Sequence, residues 1–106
     1  MGEDIHVVIE HRTEDGRWEC AMELHDNGRS RGIFERIRNK GYCGLPSDYD
    51  PWTKHLLNPE DGIYGHGWLP FEDFIEVKHA SRVCPSLKLI AKKHRADLRV
   101  VFAFDN

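Results

Sequence analysis

One run near the C-terminus constrains the fold more than any other stretch: LRVVFAF, residues Leu98–Phe104. In an extended chain Val100, Phe102 and Phe104 fall on one face, and Arg99, Val101 and Ala103 on the other. A strand that is mostly apolar on both faces needs cover on both, which places it in the interior of a sheet. The start of the chain offers a neighbour. Ile5, Val7 and Ile9 alternate as β-branched residues of one strand face, while Asp4, His6 and Glu10 share the other. The TEDG run at Thr13–Gly16 is a turn signal, and Trp18, Cys20 and Met22 beyond it alternate like the second arm of a hairpin.

Helical spacing appears in shorter pieces. Ile33, Phe34 and Ile37 form an apolar stripe in a helix over 31–40 that Ser30 can cap and Gly41 can stop. GYCGLPSDYDPW is rich in glycine, proline and aspartate and reads as a long loop, with one helical turn over Trp52–Leu57. In GIYGHGWLPFEDFIEV two glycines bracket His66, which suits a tight backbone or the close approach of a ligand, and Trp68 and Leu69 anchor the junction. Pro70 fits the first turn of a helix that carries Phe71, Phe74 and Ile75 inward. Ser86 can cap a last helix from Leu87 to Arg95, burying Leu87, Ile90 and Ala91. The expected architecture is a single α+β domain over 1–106: a small, mostly antiparallel sheet, its central strand at the C-terminus, packed against two or three helices.

Composition narrows the surroundings. The longest apolar runs are far too short to cross a membrane. Glu3 and Asp4 sit where a secretory leader would carry basic charge, so the expectation is a cytoplasmic chain. Cys20, Cys43 and Cys84 are odd in number and form no CxxC, as suits free thiols in a reducing compartment. The formal net charge of -3 speaks against a protein that coats nucleic acid, yet the charges are segregated. Acids crowd 48–76, whereas Arg29, Arg31, Arg36, Arg38 and Lys40 form one basic block and Lys88, Lys92, Lys93 and Arg95 another.

Three site hypotheses follow from residue chemistry. Asp4 and His6 on one strand face are roughly 7 Å apart at the backbone. Joined by His66 and Asp105, they form a set of imidazole and carboxylate donors suited to a divalent metal, with Glu10 or Glu72 as general base of a metal-dependent hydrolase. Alternatively, Asp4, His6, His66, Trp68, Arg36, Arg38 and Lys93 line a binding pocket without turnover. There Trp52, Tyr64 or Trp68 stacks on a base and a cation pairs a phosphate. In the third, the acidic stretch and the aromatic residues Tyr49 and Trp52 dock a protein partner. Each group also has an ordinary structural role, in turns, in packing or as solvated charge. Cys43 has no histidine that sequence spacing would assign to it, and a symmetric homo-oligomer is compatible with the chain.

Four segments in order carry a resemblance: MGEDIH at Met1–His6, GLPSD at Gly44–Asp48, HGWLPFEDF at His66–Phe74 and RVVFAFDN at Arg99–Asn106. Together they resemble a family of small bacteriophage proteins of uncharacterised function. The chain departs from the family pattern at Glu3, where cysteine is usual, and at Cys43, where arginine commonly precedes Gly-Leu-Pro. The resemblance implies a phage accessory protein acting in the host cell cytoplasm. Combined with the residue chemistry, the expected function is to counter host defence by binding a phosphate-bearing small molecule such as a nucleotide signal. The metal-dependent hydrolase and an inhibitor docking a host defence protein are the alternatives.

Overall fold

The computed structural model describes residues 4–26, 31–80, 84 and 97–105. Five strands form one sheet in the order β2-β1-β5-β4-β3, every pairing antiparallel. They are β1 (Asp4–Arg12), β2 (Trp18–Asp26), β3 (Tyr42–Cys43), β4 (Tyr64–Pro70) and β5 (Leu98–Asp105). The doubly apolar strand β5 is indeed the middle one, and every residue from Leu98 to Phe104 is buried. The β1–β2 hairpin closes through a turn in which Gly16 takes φ 84° and donates its N–H to the Thr13 carbonyl at 3.0 Å.

Strand alternation divides the structure into two unequal layers. Ile5, Val7, Ile9, Val100, Phe102 and Phe104 face one way. Against them pack Ile33, Phe34 and Ile37 of α1 (Arg31–Lys40), Phe71 and Phe74 of α3 (Phe71–Phe74), and the buried Cys84. Val8, Val101 and Ala103 face the opposite way, beneath Leu57 and Ile63 of the connection that carries α2 (Pro51–Leu56). The face expected to be polar is therefore roofed over much of its length, and Glu10 and Arg99 are enclosed with it. Asp50 starts α2 by accepting the Trp52 N–H at 3.1 Å, and Pro51 fills the first helical position.

The run from Tyr64 to Pro70 differs from expectation. It is a strand, and its glycines accommodate aromatic rings. A Cβ on Gly67 would collide with the Phe102 ring, with Cε1 only 2.9 Å away. Gly65, at φ 66°, lies under Phe104. Gly41 follows the same logic: its N–H closes α1 on the Ile37 carbonyl at 2.9 Å, and a Cβ there would stand 2.9 Å from Phe102. The close approach read from these glycines is made by the protein's own phenylalanines. The expected Ser30 cap and the helix over 87–95 lie outside the described residues.

Candidate functional site

The roofed face carries two polar groupings, one at each end. At the hairpin end Glu10 is fully buried and Arg99 is 4% exposed. The β1–β5 register sets them opposite each other, and Arg99 Nε and Nη2 both reach Glu10 Oε1 at 2.7 Å. The second carboxylate oxygen of Glu10 accepts from Thr53 Oγ1 at 2.6 Å and from the Asp50 N–H at 2.8 Å. Arg99 Nη1 donates to Asp48 Oδ1 at 2.7 Å, and its guanidinium lies over the Trp18 ring, 4.2 Å from the centroid. Asp50 accepts the Cys20 N–H at 2.7 Å. The ion pair thus ties three sequence-distant segments together, and its donors and acceptors are matched.

These contacts have electrostatic consequences. The hydrogen bond from Arg99 holds the Asp48 carboxyl below its ordinary value. Burial pushes the Cys20 thiol up, and the nearby Asp50, Glu10 and Glu23 carboxylates push it further. Glu10, considered as a general base from sequence, has its oxygens engaged by Arg99, Thr53 and the Asp50 backbone; it is a structural counter-ion. Asp48 and Asp50, counted within an acidic docking stretch, are likewise engaged by the fold.

At the other end β1 begins, β5 ends and β4 begins. Asp4 stands opposite Asp105, and His6 opposite Ala103, in the β1–β5 register. His6 Nε2 meets Asp105 Oδ2 at 2.5 Å, so a carboxylate holds the imidazole in place. His66 lies in the irregular part of the β4–β5 pairing, where its Nε2 donates to the Leu57 carbonyl at 2.6 Å. The four sequence-selected metal candidates thus occupy one end of the sheet, and His6 and Asp105 touch. No group of three or more histidine, cysteine, aspartate or glutamate side chains among the described residues has the geometry to hold a metal ion.

The sheet itself separates the remaining candidates. Arg38, on α1, places its guanidinium 3.8 Å from the Phe104 ring centroid, on the face opposite His6. Arg36 is exposed on the same helix, and Lys93 lies outside the described residues. Trp68 is half-buried against the Val8–Val101 layer, with Tyr42 4.9 Å away between ring centroids. Tyr42, not singled out from sequence, is 57% exposed. Trp52, the expected docking anchor, is 55% exposed and stacked on His55 at 4.7 Å.

Where α1 ends against β3 and β4, a depression of about 240 Å³ opens, lined by Arg38, Tyr42, Cys43, His66 and the glycines that meet Phe102. It combines a guanidinium and a thiol; the Tyr42 ring lies on the other face of the sheet, beside Trp68. A second, wider depression of about 460 Å³ lies beside the ion pair, among Arg17, Trp18, Glu19, Asp48 and Tyr49. Its one arginine is paired with Asp15 at 3.0 Å and its remaining charged side chains are acidic. No helix among the described residues is long and apolar enough to cross a membrane. Comparisons of the chain with protein-family models, curated proteins and solved structures find no match.

Proposed function

We propose that this α+β protein binds a phosphate-bearing small molecule of the nucleotide class in the depression between α1, β3 and β4. The observation that supports the reading is the Arg38 guanidinium at the wall of that depression, beside the exposed Cys43. A guanidinium is a permanent cation with a planar fork of donors, the chemistry that recognises a phosphate. The exposed Tyr42 ring, backed by Trp68, lies at the same edge of the sheet on its other face. On the resemblance to phage proteins, such a chain acts in the infected cell's cytoplasm as an accessory protein. It counters host defence by withholding a nucleotide signal, a role that requires binding and no turnover.

Calorimetric titration of the purified protein with a panel of ribonucleotides tests the reading. The expected result is saturable binding that Arg38→Gln weakens about tenfold, in line with loss of a charge-assisted hydrogen bond, while exposed Arg36→Gln leaves it unchanged. Absence of binding across the panel, or binding indifferent to Arg38, contradicts it.

A further inference from the structure

We infer that the wider depression, beside the buried ion pair, takes an arginine side chain from a partner protein whose extended segment pairs along the outer edge of β2. Nucleotide binding concerns the far edge of the sheet, and the two sites are independent.

The edge comes first. β2 ends the sheet order β2-β1-β5-β4-β3, so among the described residues one side of its backbone has no strand against it. Nine residues are enough to template a further strand, and long edges are ordinarily guarded by lysine, proline or a bulge. WECAMELHD contains neither lysine nor proline. Its irregularity is at Ala21, left out of the β1–β2 register between Cys20 and Met22, so the regular part at the hairpin end is Trp18–Cys20. Glu19 and Glu23 are exposed along the strand. Like charges on two such edges repel, in a chain whose formal net charge is -3, and the edge favours a basic segment over a second copy.

The depression of about 460 Å³ opens at that same end, walled by residues 16–20 and 48–51. Alternation turns Glu19 to the opposite face, where His11 Nε2 lies 3.7 Å from its carboxylate, so Glu19 meets the depression with its main chain. The depression therefore reaches the strand edge. Its charge is unbalanced: Glu10 is matched by Arg99 and Asp15 by Arg17, which leaves Asp48 and Asp50 in excess. Asp48 gives Oδ1 to Arg99 while 62% of its side chain stays exposed. The Cys20 thiol in the same wall is pushed up by burial and then by Asp50, Glu10 and Glu23, in keeping with a negative field.

Arg99 shows what these surroundings recognise, its guanidinium held by carboxylates against the Trp18 ring. Tyr49 gives the stem of an arriving arginine a further aromatic surface. Free arginine would bring its own carboxylate to the same acids, whereas an arginine within a segment brings none and adds main-chain hydrogen bonds at the edge.

Calorimetric and amide NMR titrations at one fixed ionic strength test the proposal. The probes are a short capped peptide of threonine and valine with one central arginine, the same peptide with the neutral isostere citrulline in that place, the arginine peptide with alternate main-chain nitrogens methylated, and agmatine. The arginine peptide is expected to bind saturably and to move the amides of Trp18–Cys20 and Asp48–Asp50. The citrulline peptide, the methylated peptide and agmatine should each bind about tenfold more weakly. Asp48→Asn should bring the arginine peptide down to the citrulline level and leave the citrulline peptide where it was, which also reports that the variant is folded. Citrulline binding as tight as arginine, or no binding by the arginine peptide, overturns the proposal. Methylated peptide or agmatine binding as tight as the arginine peptide overturns the edge pairing, and with it the protein partner.

Discussion

The two arginines Arg99 and Arg38 mark regions that do opposite things with the same chemistry. Arg99 is 4% exposed, lies over Trp18, and is bonded to Glu10 and Asp48. Arg38 is half-buried, lies over Phe104 and borders an open depression beside the exposed Cys43. A buried cation whose donors are matched by carboxylates holds the architecture together, because removing any partner leaves an uncompensated charge. A cation at the rim of a depression has room to meet a ligand. The difference teaches that the most polar cluster in a small domain is not thereby its site, and that access decides.

The sharpest way to break the comparison is to truncate the buried pair. Glu10→Ala leaves Arg99 enclosed without its main counter-ion, and urea unfolding should show a loss of about 3–5 kcal/mol. A change below about 1 kcal/mol would mean that Arg99 finds water or a new partner, and that this end is more open than its burial implies. The phenylalanine-over-glycine packing that shapes the depression comes next. Gly67→Ala puts a methyl into the Phe102 ring and is expected to cost about 1–3 kcal/mol. Phe102→Leu in the same chain should recover part of that loss, because the clash is with the ring.

A smaller effect separates the two regions by pH. Asp48 is more acidic in the folded chain than its ordinary value of 3.8. Its contribution is therefore fully present above that value and is lost as pH falls through its lowered folded-state value. Equilibrium unfolding between neutrality and about pH 3 should show the wild type losing its advantage over Asp48→Asn as the carboxyl protonates. Parallel curves for the two proteins would show that Arg99 does not depend on Asp48. Arg38→Gln belongs at the low end for stability, expected within about 1 kcal/mol of wild type while nucleotide binding falls. Thiol labelling gives a last, purely kinetic check. Exposed Cys43 should react first, the partly buried Cys20, whose thiolate is disfavoured, more slowly, and buried Cys84 only on unfolding.

Much of the architecture was legible because periodicity reports it directly. The doubly apolar Leu98–Phe104 run located the central strand, alternation over Ile5–Ile9 located its neighbour, and the Ile33, Phe34 and Ile37 spacing located α1. Strand β4 was hidden by its glycines, which weaken a strand signal, and whose purpose depends on phenylalanines more than thirty residues away. The Glu10–Arg99 pair was hidden for a related reason. Alternation put each residue on a face, but only the β1–β5 register brings them opposite each other. The candidate site suffered most from parity. His6 and Arg38 entered one expected pocket, yet His6 shares the face of Val8 while Arg38 sits with α1 on the face of Phe104. Tyr42 carried no signal of its own, being one aromatic residue in a polar loop.

The measurement that tests the central claim most directly is a nitrogen-15 amide NMR titration of the protein with the tightest-binding ribonucleotide. It sets the two depressions against each other in one experiment. The account expects saturating shifts centred on Arg38, Tyr42, Cys43 and Gly65–Gly67, with Trp18, Glu19 and Asp48 unmoved. Shifts centred instead on Arg17–Cys20 and Asp48–Asp50 would place the ligand beside the buried ion pair and contradict the assignment of function to Arg38.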